Sequence, residues 1–320
     1  MLSGKEIIDS LELGRDQAER VISTRDEKLK IRESAINNNQ IARNFSGGGA
    51  PQPLNKSFTA ALGRASSEVI VAEGDSWFDY PRNDILNILE DRYGFDVETC
   101  AHKGDNVEDM AYTDGQLENF TRRIEKIIRR NSVPPKVILL SGGGNDIAGP
   151  EFKMLLNHKD SPIGGLNSKV VDGIINERVM TSYITIIQAI TSICVNRVGK
   201  PIPIIIHGYD YPVPDGRGFL GGFSILPGPW FEPGFRLKGF SLLQDRIDHT
   251  KSLIDTFNDM LKNIPKIVGF EHVHLVDLRG TLSTVTEEDA YKGDWANELH
   301  PSQFGFEKIT SRMYEKINSL

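Results

Sequence analysis

Four short segments of this 320-residue chain set reactive side chains among glycines or beside a proline. They are Gly74-Asp75-Ser76-Trp77, Ala101-His102-Lys103-Gly104-Asp105, Ser141-Gly142-Gly143-Gly144-Asn145-Asp146 and Asp294-Trp295-Ala296-Asn297-Glu298-Leu299-His300-Pro301. A serine hydroxyl attacks a carbonyl carbon when it stands on an exposed turn and a base takes its proton. Gly74 permits such a turn before Ser76, although a Gly-Asp-Ser triplet also makes ordinary turns and helix caps. Gly104 lets the backbone approach a ligand and present its N–H. The three glycines before Asn145 free the main chain, so that a side-chain amide can face developing charge. A phosphate-cradling loop is the rival reading of that run, but the Lys-Ser/Thr pair that completes one is missing. His300 precedes a proline, which holds it in extended or turn backbone where an imidazole can lean over a sheet as a base.

These segments need a scaffold, and the chain between them supplies one. Strand signatures occur at Glu68–Gly74, Phe95–Ala101, Lys136–Ser141, Pro203–His207 and His272–Asp277. The third and fourth are nearly unbroken apolar runs, as strands buried on both faces of a parallel sheet require. Helical periodicity fits Ile85–Tyr93, Leu117–Arg130, Met180–Val198, Leu242–Lys262 and Phe306–Ile317. The alternation predicts a three-layer α/β/α sandwich with a five-stranded parallel sheet, whose functional groups gather at the carboxyl ends of the strands. All four segments fall at or beyond such ends.

Ahead of this domain, residues 1–45 repeat apolar positions at helical intervals among many charges, which predicts an N-terminal extension of one or two helices. The Gly/Pro-rich stretch that follows reads as a linker over 46–64, with the main domain spanning 65–320. The N-terminal helices are expected to serve in packing or oligomerisation, with a protein-binding arm as the alternative.

Composition narrows the function classes. A formal net charge of -7 and a pI near 5.6 argue against nucleic acid as partner, since phosphate contacts need a surplus of Lys and Arg. Residues 1–20 lack the apolar core of a secretory signal, and no stretch reads as a membrane span. The expected location is therefore cytoplasmic, with Cys100 and Cys194 as reduced core residues. His272-x-His274 has a spacing able to hold zinc but no third ligand, so neither metal nor other cofactor is expected.

In order and placement the four segments resemble the sequence blocks of the SGNH (GDSL-like) hydrolases, over about residues 68 to 317. The resemblance implies a flavodoxin-like sheet and a serine ester hydrolase working on a small-molecule or acyl ester. Carboxylesterase, lipase, thioesterase and deacetylase all share that chemistry. It implies Ser76 as nucleophile, His300 as general base, and an oxyanion hole from the N–H groups of Ser76 and Gly104 with the side chain of Asn145. The family's last block usually reads Asp-x-x-His, and here Asn297 stands three positions before His300. Asn297 is the favoured residue to orient the imidazole, with Asp294 or no side chain at all as the alternatives. The missing aspartate also keeps alive a domain that has lost turnover and serves as a binding or sensor module. If His300 is the base, activity is expected to fall with its protonation near the ordinary imidazole pKa of about 6.5.

Between the fourth strand and the next helix, residues 209–240 carry Phe219, Phe223, Leu226, Trp230, Phe231 and Phe235 amid glycines and prolines. Such a stretch can line an acyl pocket, act as a lid, or simply pack onto the domain. Trp77, Phe78 and Tyr80 face the same choice.

Overall fold

The computed structural model describes residues 2–45, 68–81, 83–113, 115–130, 133–221 and 226–320, with side chains of the first helix described through residue 34. The expected linker, 46–64, lies outside the described residues. So does the first part of the main domain, up to residue 67.

Five parallel strands form the sheet: β1 (Val69–Glu73), β2 (Asp96–Thr99), β3 (Val137–Leu140), β4 (Ile204–His207) and β5 (Val273–Val276). Their spatial order is β2-β1-β3-β4-β5. Every residue of β3 and β4 is buried, because helices cover both faces and leave no polar side to satisfy. The helices include α1 (Gly4–Phe45), α2 (Ile85–Asp91), α3 (Val107–Tyr112), α4 (Gln116–Arg130), α5 (Met180–Val198), α6 (Leu243–Leu261) and α7 (Gln303–Asn318). Right-handed crossovers put α4, α5 and α6 on one face, while α2 and α7 pack together on the other. The chain thus has the three-layer α/β/α architecture expected from its strand and helix signatures.

Local chemistry starts and stops these elements. Asp84 caps α2 by accepting the N–H of Asn87, Ser302 caps α7 by accepting that of Gly305, and Gly199 ends α5 with left-handed backbone. Short elements escaped the periodicity argument: α3, the single turn Gly144–Ile147 and the helix Glu232–Leu237. None is long enough to show a repeat.

The N-terminal extension is one continuous helix of 42 residues, and it lies along α5 and α4. Ala18 and Val21 bury against Ile193. Arg25 and Arg197 bracket the buried carboxylate of Glu125 at 2.6 and 2.8 Å. One segment, Ser168–Val198, is long and apolar enough to cross a membrane by length and composition alone. Of its most apolar window 67% is buried inside the protein, the pattern of a core helix. Cys100 and Cys194 are unpaired.

In an open sheet of this order the chain reverses direction between β1 and β3, and a crevice opens above their carboxyl ends. The serine segment follows β1 and the asparagine segment follows β3, so both border that crevice.

Candidate active site

After β1 the chain turns through Gly74-Asp75-Ser76. A Cβ at position 74 would stand 2.7 Å from Cβ of Ser141 and 2.9 Å from the Phe78 ring. Glycine is needed there for the close approach of the β3 end, rather than for an unusual backbone angle. Asp75 points inward. One oxygen accepts the N–H of Trp77 at 3.0 Å and the hydroxyl of Ser141 at 2.9 Å, and the other accepts the hydroxyl of Tyr209. The Tyr209 oxygen in turn accepts the N–H of Gly144 at 3.0 Å. A single buried network therefore ties the ends of β1, β3 and β4. Nothing in the spacing of Asp75, Ser141 and Tyr209 announces this role, because the contacts span three strands.

His300 arrives from the loop before α7. Its Nε2 lies 2.7 Å from Ser76 Oγ, and its Nδ1 lies 3.1 Å from Asn297 Oδ1. The same Asn297 atom accepts the backbone N–H groups of Leu299 and His300, both at 2.9 Å. An atom with two N–H donors on it is the amide oxygen, so Nδ1 of His300 carries its proton and Nε2 offers a lone pair to the serine. The Asn297 amide N–H donates to Tyr80 Oη at 3.2 Å.

Asp294 is used elsewhere. Its carboxylate accepts the N–H of Ser283 at 2.7 Å and pairs with Lys308 at 2.8 Å, away from the imidazole. Tyr80 stacks on His300 with ring centres 4.4 Å apart, and Trp230 meets it edge-on at 5.2 Å. Burial pushes the imidazole pKa down to about 3. This corrects the expected value near 6.5: charging the ring costs its hydration, and among the described residues no carboxylate touches it.

The loop after β2 closes the site. His102 donates its N–H to the Gly74 carbonyl at 2.8 Å, and Lys103 its N–H to Asp79 at 3.0 Å. Gly104 has φ +93, and among the described residues nothing lies within 4 Å of an added Cβ, so here glycine answers a backbone angle. The Asn145 amide donates one hydrogen to the Asp105 carbonyl at 2.9 Å. Among the described residues no acceptor takes the N–H of Ser76 or of Gly104. Ser76, Gly104, Asn145 and His300 all line one cavity of about 440 Å³.

Residues 209–240 serve two of the roles considered for them. Phe219, Leu226 and Trp230 line the cavity with Tyr80, whereas Phe231 and Phe235 pack on Phe152 at 5.0 and 4.8 Å. Phe223 lies outside the described residues. Trp77 and Phe78 belong to the core, and the Trp77 ring N–H holds the Leu299 carbonyl at 3.2 Å. His272 is engaged by Thr191 of α5 at 2.8 Å. Among the described residues no three side chains gather that could hold a metal. A larger cavity, of about 720 Å³, opens between Cys100 and α4 and contains none of the four residues above.

No family model matches the chain, and no curated protein matches it. Among solved structures it is similar to a GDSL-like lipase from Bacteroides thetaiotaomicron, at 12% identity over 82% of this chain and 95% of that one, with a TM-score of 0.37. It is also similar to an acetylxylan esterase from Geobacillus stearothermophilus, at 13% identity over 78% of this chain and 94% of that one, with a TM-score of 0.33.

Proposed function

We propose that this chain is a serine ester hydrolase of the SGNH type, cleaving a carboxylic ester through an acyl-enzyme intermediate. The observation that carries the reading is the relay from Asn297 through His300 to Ser76, in which the ring tautomer is fixed so that the free lone pair faces the hydroxyl.

In this scheme the Ser76 oxygen bonds to the ester carbon as Nε2 of His300 takes its proton. The carbonyl electron pair moves onto oxygen, where the N–H groups of Ser76 and Gly104 and the amide of Asn145 receive it. Collapse of that intermediate breaks the bond to the leaving alkoxide, which leaves with the proton from Nε2. Water then attacks the acyl carbon, gives a proton to Nε2, and releases the acid as Ser76 recovers its hydrogen.

Asn297 accepts the Nδ1 hydrogen but brings no negative charge to the imidazolium. The stacked face of Tyr80 supplies part of that attraction, as an aromatic face does for a cation, on the order of 1 kcal/mol. A neutral orienting residue therefore accompanies a ring of low basicity, and the base stays unprotonated well below neutral pH.

A fluorophosphonate probe tests the reading directly. Wild type is expected to be labelled and to hydrolyse an activated acetyl ester, and Ser76→Ala to do neither. Absence of labelling between about pH 6 and pH 9 would turn the site into that of a binding module.

A further inference from the structure

The segment that carries Asn297 and His300 also carries Glu298, which the proposed reaction does not use. Its side chain is fully buried, 0% exposed, and main-chain donors hold it. One carboxylate oxygen accepts the N–H of Gly216 at 2.7 Å, and the other accepts those of Trp230 and Phe231, each at 2.8 Å. The N–H of Glu232 lies 3.2 and 3.3 Å from the two oxygens.

The clasp is reciprocal. Glu298 donates its own N–H to the Arg217 carbonyl at 3.2 Å, and the Arg217 guanidinium donates to the carbonyls of Trp295 and Ala296 at 3.0 and 3.2 Å. Two separated stretches of the aromatic loop are thereby bound to the segment holding the imidazole. Trp230 sits within this clasp, and its ring is both a cavity wall and the edge that meets His300 at 5.2 Å.

We propose that Glu298 is a specificity-determining positioning residue, a buried carboxylate clamp that fixes the Trp230 wall opposite His300 and so holds the apolar surface against which a long acyl chain packs. The proposal rests on reading the site as an ester hydrolase. A carboxylate suits the place because it accepts at both oxygens, whereas an amide must turn its NH₂ toward one set of donors. Glu298→Gln is expected to keep its oxygen on Trp230 and Phe231 and to lose the Gly216 tie, which loosens the loop without emptying the site.

The test compares wild type, Glu298→Gln, Trp230→Ala and the double variant on acetyl and octanoyl p-nitrophenyl esters. Each single substitution is expected to lower the octanoyl-to-acetyl ratio of kcat/KM by about tenfold, the scale of one ill-fitted methylene, mainly through the octanoyl KM. Because Glu298 acts through Trp230, the double variant should fall no further than Trp230→Ala alone. An unchanged ratio in either single variant, or effects that multiply, would overturn the proposal. Amide hydrogen exchange in peptides spanning 226–235 reads the clamp without any turnover. Faster exchange in Glu298→Gln is expected, and equal exchange would sink the clamp. A wild type inactive on both esters but with that exchange response would instead remove the hydrolase reading and, with it, the acyl selection.

Discussion

The amide oxygen of Asn297 lies 3.1 Å from the ring Nδ1 of His300 and 2.9 Å from the same residue's backbone N–H. Backbone and ring of one histidine thus converge on one atom, and neither the amide nor the imidazole is free to turn over. Asn297→Ala should lower kcat by on the order of 10²-fold, since a ring in the wrong tautomer cannot accept the serine proton. Asp294→Ala should leave kcat within about threefold while lowering Tm, because Asp294 holds Lys308 and Ser283 rather than the ring. Steady-state kinetics on the two variants decide this, and a reversed order of effects would reassign the orienting residue.

Asn297→Asp asks a different question of the same contact. A carboxylate beside Nδ1 favours the imidazolium, so the pKa of His300 should rise and kcat should increase in this variant. A pH–rate profile that keeps its wild-type acid limb would contradict the assignment of that limb to His300.

For the wild type, the sign follows from burial. The imidazole pKa, lowered from 6.5 to about 3, keeps the ring neutral in the folded protein across a window in which the unfolded chain takes up a proton. Stability from this group is therefore present above 6.5 and is lost as pH falls through that window toward 3. With His300 as the proposed base, kcat/KM should hold its acid limb below about pH 5 rather than near 6.5. Initial rates from pH 4 upward, with Tm measured alongside, separate loss of base from loss of fold.

Asn145→Ala removes the side-chain donor while sparing the Ser76–His300 contact. A loss of about 10²–10³ in kcat is expected with little change in KM, as for other single oxyanion donors. Fluorophosphonate labelling should survive at a reduced rate, and turnover close to wild type would exclude Asn145 from the reaction.

Tyr209→Phe strips the hydroxyl that joins Asp75 to Gly144. Two buried groups lose their partner at once, at a cost of about 1–3 kcal/mol for each that stays unpaired. Denaturant unfolding should show that loss in full. Activity should fall as well, because this brace joins the serine turn to the asparagine turn.

Arg25→Ala probes how firmly α1 belongs to the domain. Glu125 would keep Arg197 as a partner, so the loss should stay below the roughly 3–5 kcal/mol of a buried charge left with none. Changes in Tm measure it, and an unaltered Tm would mean that the helix contributes nothing through this contact.

Much of the architecture was legible in the sequence because apolar runs such as Val137–Leu140 and Ile204–His207 leave a strand buried on both faces almost no alternative. The order of strands and helices then dictated a parallel sheet, and with it the edge where Ser76, Gly104, Asn145 and His300 would gather. Residue type alone also named what each of the four can do, since a hydroxyl, an imidazole and amide donors have fixed chemical roles. The sequence favoured Asn297 but left Asp294 open, because that choice depends on which side chain the loop turns toward the ring. It could not give the basicity of His300, which depends on how completely neighbours such as Tyr80 and Trp230 exclude water. Nor could it reveal Asp75, Tyr209 and Glu298, whose partners lie up to 134 positions away. Local pattern records periodicity and turn chemistry, whereas hydrogen bonds between distant loops exist only once the strands have brought their ends together.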